Sequence, residues 1–156
     1  MVNEEKRLQV VFSVILLAHE MRAAGFSKTS YSKILRETIY FVWEIREVSK
    51  HSPQRIRSKA ADGLPPSELD YDHAVPMRVV TEILLGAWPE KDAVEHVLRN
   101  LVRGVLITKD EHNMLSREGL SSKMPSDWDG KDWTARYREV GILLSSPKGY
   151  QDSEHN

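Results

Sequence analysis

The chain has 156 residues, 22 of them Lys or Arg and 23 Asp or Glu, for a formal charge of −1; that is near the commonest size of one domain and too short for two ordinary cores. With 40% hydrophobic and 29% charged residues it is not collagen-like, low-complexity or disordered throughout. It contains no cysteine, which excludes disulfides, thiolate nucleophiles and Cys-ligated zinc, so any metal must be held by His and carboxylates.

Residues 4 to 24 carry Leu8, Val11, Phe12, Ile15 and Ala18 at helical spacing, with Val10, Val14 and Leu17 widening the stripe and Gly25 as the stop. The apolar run Val10 to Ala18 is too short to span a bilayer and no small-residue cleavage site follows it. It therefore reads as a buried helix of a soluble, cytoplasmic protein with no membrane partner. A second helix is expected from a Thr29 or Ser30 cap to about Ser49, with Ile34, Leu35, Thr38, Val42, Ile45 and Val48 on one face and Ile39, Tyr40 and Trp43 on the other. Such a helix touches two partners, inside the domain or across a dimer contact.

Residues 50 to 70 show no periodicity and read as a loop bearing Arg55, Arg57 and Lys59, which can be a phosphate grip or simply a solvated connection. After Pro76 two more helices are predicted, about 76 to 86 and 90 to 101. Val105, Leu106 and Ile107 form the best strand candidate, running into the capping box Thr108-Lys109-Asp110-Glu111 of a short helix that carries His112. A last helix is expected over 132 to 140, with Trp128, Trp133 and Tyr137 docking it onto the core. The whole pattern is mainly α: one domain over 1–144, a compact bundle of about five to six helices, a short two-stranded β element pairing about 69–74 with 104–108, and a disordered tail over 145–156.

Charge is unevenly spread, with 11 basic and 6 acidic residues in positions 1 to 60, leaving 11 against 17 beyond. This fits an anionic partner for the first half, and equally the packing of one half on the other.

Chemistry is suggested by Asp72-His73-Ala74-Val75-Pro76. The residue before a proline is driven out of helix, so an Asp-His pair sits at the end of an extended piece. Adjacent side chains on a strand point to opposite faces, and the two can share a site only if the backbone turns. The segment resembles the HNH, or ββα-metal, nuclease family, in which an Asp-His-x-x-Pro segment ends the first strand of a hairpin and a helix follows the second. The resemblance implies His73 as general base, Asp72 and His112 as ligands of a divalent metal (Mg, Mn or Zn), a nucleic-acid substrate contacted by Arg55, Arg57 and Lys59, and residues 76 to 104 as a two-helix insertion in the hairpin. A neutral imidazole can take a proton from water near pH 7, and a hard cation can stabilise the phosphate charge and the leaving oxygen. The alternative reading is a non-catalytic helical interaction module that self-associates as a homodimer through the first two helices. His19, His51, His96 and His155 have no partner that the sequence identifies.

Overall fold

The computed structural model describes residues 2–45 and 48–145. Six α-helices and a four-stranded mixed sheet are present among them. The fold is mainly helical, as the periodicity predicts, with a sheet twice the expected width.

Helix α1 (Glu4–Ala23) starts at Asn3, whose side chain accepts the Lys6 N–H at 2.9 Å. It ends in a Schellman turn: Phe26 N–H reaches Met21 O at 3.0 Å and Gly25 N–H reaches Arg22 O at 3.1 Å. Gly25 takes φ +85°, where a side chain is strained. Leu8, Val11, Ile15 and Ala18 are buried, whereas Val10 and Leu17 face outward. Helix α2 (Lys28–Thr38) is capped two or three residues earlier than expected, because Ser27 is extended and its Oγ accepts the Ser30 N–H at 3.3 Å. It continues as a π-helical segment, Ile39–Glu44. The buried series is Tyr31, Leu35, Ile39 and Trp43, which joins Leu35 of one expected face to Ile39 and Trp43 of the other, while Ile34 is 41% exposed. Residues 46 and 47 of the expected helix lie outside the described residues.

Helices α3 (Met77–Ala87) and α4 (Lys91–Leu101) pack with α1 and α2 around one apolar core that includes Val11, Ile15, Leu35, Leu84 and Leu98. Burying such side chains supplies about 1.5–3 kcal/mol each. Strand β2 (Leu69–His73) pairs antiparallel with β3 (Gly104–Thr108), with Asp70 opposite Ile107 and His73 opposite Gly104. Thus α3 and α4 do stand between the two strands of this pair. The stretch read as loop holds β1 (Arg57–Ser58), parallel to β3, and β4 (Leu144–Ser145) closes the sheet in the order β2-β3-β1-β4. Two-residue strands leave no alternation to detect.

Helix α5 (Lys109–Arg117) follows β3 directly, and its predicted capping box is formed: Thr108 Oγ1 accepts the Glu111 N–H at 3.1 Å and Glu111 Oε2 the Thr108 N–H at 2.9 Å. Glu111 Oε2 also takes the Ser58 hydroxyl at 2.5 Å, tying α5 to β1. Helix α6 (Ala135–Glu139) is shorter than expected, because Asp132 Oδ1 accepts the Thr134 N–H and hydroxyl in a turn before it. Val105, Ile107, Leu115 and Tyr137 form a second core on one face of the sheet; Ala61, Leu69 and Leu106 form a small third one on the other. Trp128 and Trp133 are partly buried against the helical core. Of the tail, Ser145 belongs to β4 and residues 146–156 lie outside the described residues. No described helix is long and apolar enough to cross a membrane.

Candidate functional site

Strand β2 is an edge strand, and period-two alternation divides its polar residues between two faces. Tyr71 and His73 share the side of Leu106 and Gly104; Asp70 and Asp72 share the side of Ile107 and Val105, where α5 and α6 lie. The backbone stays extended through His73, so Asp72 and His73 point apart.

On the first face the partner is Glu44, the last residue of the π-helical segment. Wider winding there turns Glu44 inward beside Trp43, and its side chain is only 1% exposed. Tyr71 donates its hydroxyl to Glu44 Oε1 at 2.6 Å. His73 Nε2 lies 3.1 Å from Glu44 Oε2, yet neither atom makes an aligned hydrogen bond although both are buried. The pair is thus a close polar contact that stands outside hydrogen-bond alignment. Burial, and then the Glu44 charge, pushes the Tyr71 phenol far above its ordinary value, and the same two causes raise Tyr40. Tyr71 thus stays protonated and donating. Its ring lies where a Cβ on Gly104 would stand, 1.8 Å from the hydroxyl oxygen, so only glycine at 104 lets Tyr71 lean across to Glu44. His73 is further bracketed by the Tyr40 and Tyr71 rings, both edge-on, at 6.0 and 5.7 Å.

On the second face Asp70 Oδ2 and His112 Nδ1 lie 2.7 Å apart, both half-exposed. Asp72 is spoken for otherwise. Its Oδ2 accepts Arg136 Nη2 at 2.5 Å and the Tyr137 hydroxyl at 2.6 Å, both from α6. Burial, and then the Asp72 charge, raises the Tyr137 phenol well above its ordinary value. The acidic partner of His112 is therefore Asp70, two residues before the expected Asp72, because α5 crosses β2 at the Asp70 level while α6 reaches its end.

His73, Asp72 and His112 line one cavity of ≈ 310 Å³ together with Arg36, Arg78 and Ser121. A neighbouring cavity of ≈ 300 Å³ shares Arg36, Tyr71 and His73 with it and adds Tyr40 and Lys50. The two make one groove along the β2 edge. Arg55, Arg57 and Lys59 do not line these cavities. Arg55 donates to Glu44 O, Val48 O and Ser49 O and caps the Tyr71 ring at 5.4 Å; Arg57 donates to Ser52 O; Lys59 is exposed. Backbone carbonyls order the loop through the first two, and the cations facing the groove are Arg36, Lys50 and Arg78, two of them on helices that the sequence reads as scaffold.

Among the described residues no three His, Asp or Glu side chains converge as a metal-binding group. Two do approach. Asp70 Oδ2 and His112 Nδ1, 2.7 Å apart, are hydrogen-bonded to each other. Comparison with protein-family models, curated proteins and solved structures finds no match for this chain.

Proposed function

We propose that the groove is the reaction centre of a phosphodiester hydrolase acting on nucleic acid, an endonuclease of HNH-like type. The observation that carries this reading is that an imidazole from the end of β2 and one from α5 line the same cavity, each facing its own carboxylate, beside Arg36 and Arg78. His73 turns Nε2 to Glu44, which leaves Nδ1 directed away from the carboxylate. A carboxylate behind the ring favours the imidazolium that forms once His73 has taken a proton from the attacking water. Arg36, Arg78 and Lys50 receive the phosphate oxygens and the flanking phosphates. Asp70 and His112 would hold a divalent cation, Mg, Mn or Zn, which supplies charge stabilisation at the scissile phosphate.

The deciding assay incubates the protein with Mg²⁺ or Mn²⁺ and single- and double-stranded DNA and RNA, beside His73→Ala. Cleavage by the wild type that the variant loses supports the reading. Equal cleavage by both preparations, or none by the wild type on any substrate, refutes it.

A second reading, a self-associating helical module, is favoured by a different observation: Val10, Leu16, Leu17 and Ile34 of α1 and α2 are 39–45% exposed. A monomer by sedimentation equilibrium at high micromolar concentration would remove it.

A further inference from the structure

One fully buried cation takes no part in that groove's lining. Arg136 is 1% exposed and is anchored in the first turn of α6. Its Nε donates to Ala74 O at 3.0 Å, its Nη1 to Leu120 O at 2.6 Å and its Nη2 to Asp72 Oδ2 at 2.5 Å, and Nη2 also bonds His73 O. Three of these four acceptors belong to consecutive residues at the end of β2. The fourth precedes Ser121 and Ser122, which also line the groove. An arginine in a core of this kind needs one counter-charge for stability, and Asp72 supplies it. The arginine's remaining donors must also find acceptors once buried, and those it finds are carbonyls of two segments 46 residues apart in sequence, Ala74 and Leu120. A planar fork with five donors can hold both at a fixed spacing, and a lysine cannot.

We infer that Arg136 is a positioning residue: its guanidinium, oriented by Asp72 and Tyr137, sets the backbone at His73 and the Leu120–Ser122 wall at the spacing that the groove's ligand requires. The catalytic part of this inference rests on the hydrolase reading above; the positional part does not. Arg136 touches no reacting atom. It acts through the carbonyl of His73, whose ring direction follows from the backbone at the strand end, and a small misplacement of a reacting group costs far more in rate than in binding.

The test pairs a positional readout with a kinetic one on the full chain. ¹⁵N-labelled wild type, Arg136→Lys and Tyr137→Phe are compared by the ring signals of His73 and His112 and the backbone amides of residues 72–74 and 120–122. In Arg136→Lys the His73 ring signals and both amide groups move together, while those of the Asp70-paired His112 ring hold. Phosphodiester cleavage then loses kcat on the order of 10- to 100-fold with KM nearly unchanged, and Tyr137→Phe shows the same pattern in weaker form. If Arg136→Lys does not fold, Tyr137→Phe decides by the same signals. Unmoved His73 and Ser121 signals in a folded variant overturn the inference. Should wild type cleave nothing, the hydrolase reading falls while the ring and amide shifts still decide the positional role.

Discussion

The two faces of β2 carry equally polar side chains and treat them in opposite ways. Toward α6, Asp72 is firmly held: a guanidinium and a phenol converge on its Oδ2, and the guanidinium also reaches three carbonyls. Toward the π-helical segment, Glu44 Oε2 and His73 Nε2 stand 3.1 Å apart, buried and unaligned. A firmly bonded network specifies one arrangement and resists change. An unaligned buried pair is held by its surroundings and gains on any proton or ligand that completes it. One strand thus places a firmly bonded anchor and an unaligned buried pair on adjacent residues.

This contrast can be broken experimentally. The largest effect is expected in the rate of phosphodiester cleavage on the face of the unaligned pair, where His73→Ala should lower kcat by about 10²- to 10⁴-fold with little change in the unfolding midpoint in urea; a midpoint falling as far as in a core variant would make His73 structural. On the anchored face, Arg136→Met should cost about 3–5 kcal/mol in chemical denaturation by leaving Asp72 buried without its counter-charge. Adding Asp72→Asn to that variant should restore part of the loss, and a purely additive double variant would show the pair to be uncoupled. Gly104→Ala should cost about 1–3 kcal/mol, since its Cβ displaces the Tyr71 ring; heteronuclear spectra should show Glu44 and His73 perturbed and His112 unaffected.

The smallest expected effect is alkaline. Tyr71 and Tyr137 both have folded values raised above the ordinary phenol, so the unfolded chain loses its tyrosine protons first. Their contribution is fully present below about pH 10 and is lost above it, by about 1.4 kcal/mol per pH unit for each phenol. Urea midpoints between neutral pH and pH 11 should fall more steeply for wild type than for Tyr137→Phe. Parallel curves would contradict this.

Much of the scaffold was legible because its cues are local. Gly25, the capping box at Thr108 and Glu111, the proline before α3 and the stripe of α4 each act within one turn of the residues they organise. The choice of buried face on α2 was not, since Ile34 and Ile39 are equally apolar and the π-winding that brings Tyr31, Leu35, Ile39 and Trp43 into line has no signature in the residues. The site was half legible. His73 and His112 line one cavity, but the partner of His112 is Asp70. Alternation carried a usable signal, because it places Asp70 and Asp72 on one face and His73 on the other, and the antiparallel register sets Asp70 beside the start of α5. No local signal pointed to Glu44 or Arg136, which reach His73 from 29 and 63 residues away.

By itself the sequence determined the class of the fold, most of its helices and the presence of an Asp-His end to a strand, because hydrophobic period, caps and prolines act over a few residues. Only the tertiary structure decided which carboxylate meets which imidazole and which cations face the groove. Those pairings depend on strand register and on where α5, α6 and the π-helical segment cross β2, and burial of distant apolar surface, rather than neighbouring chemistry, sets those crossings.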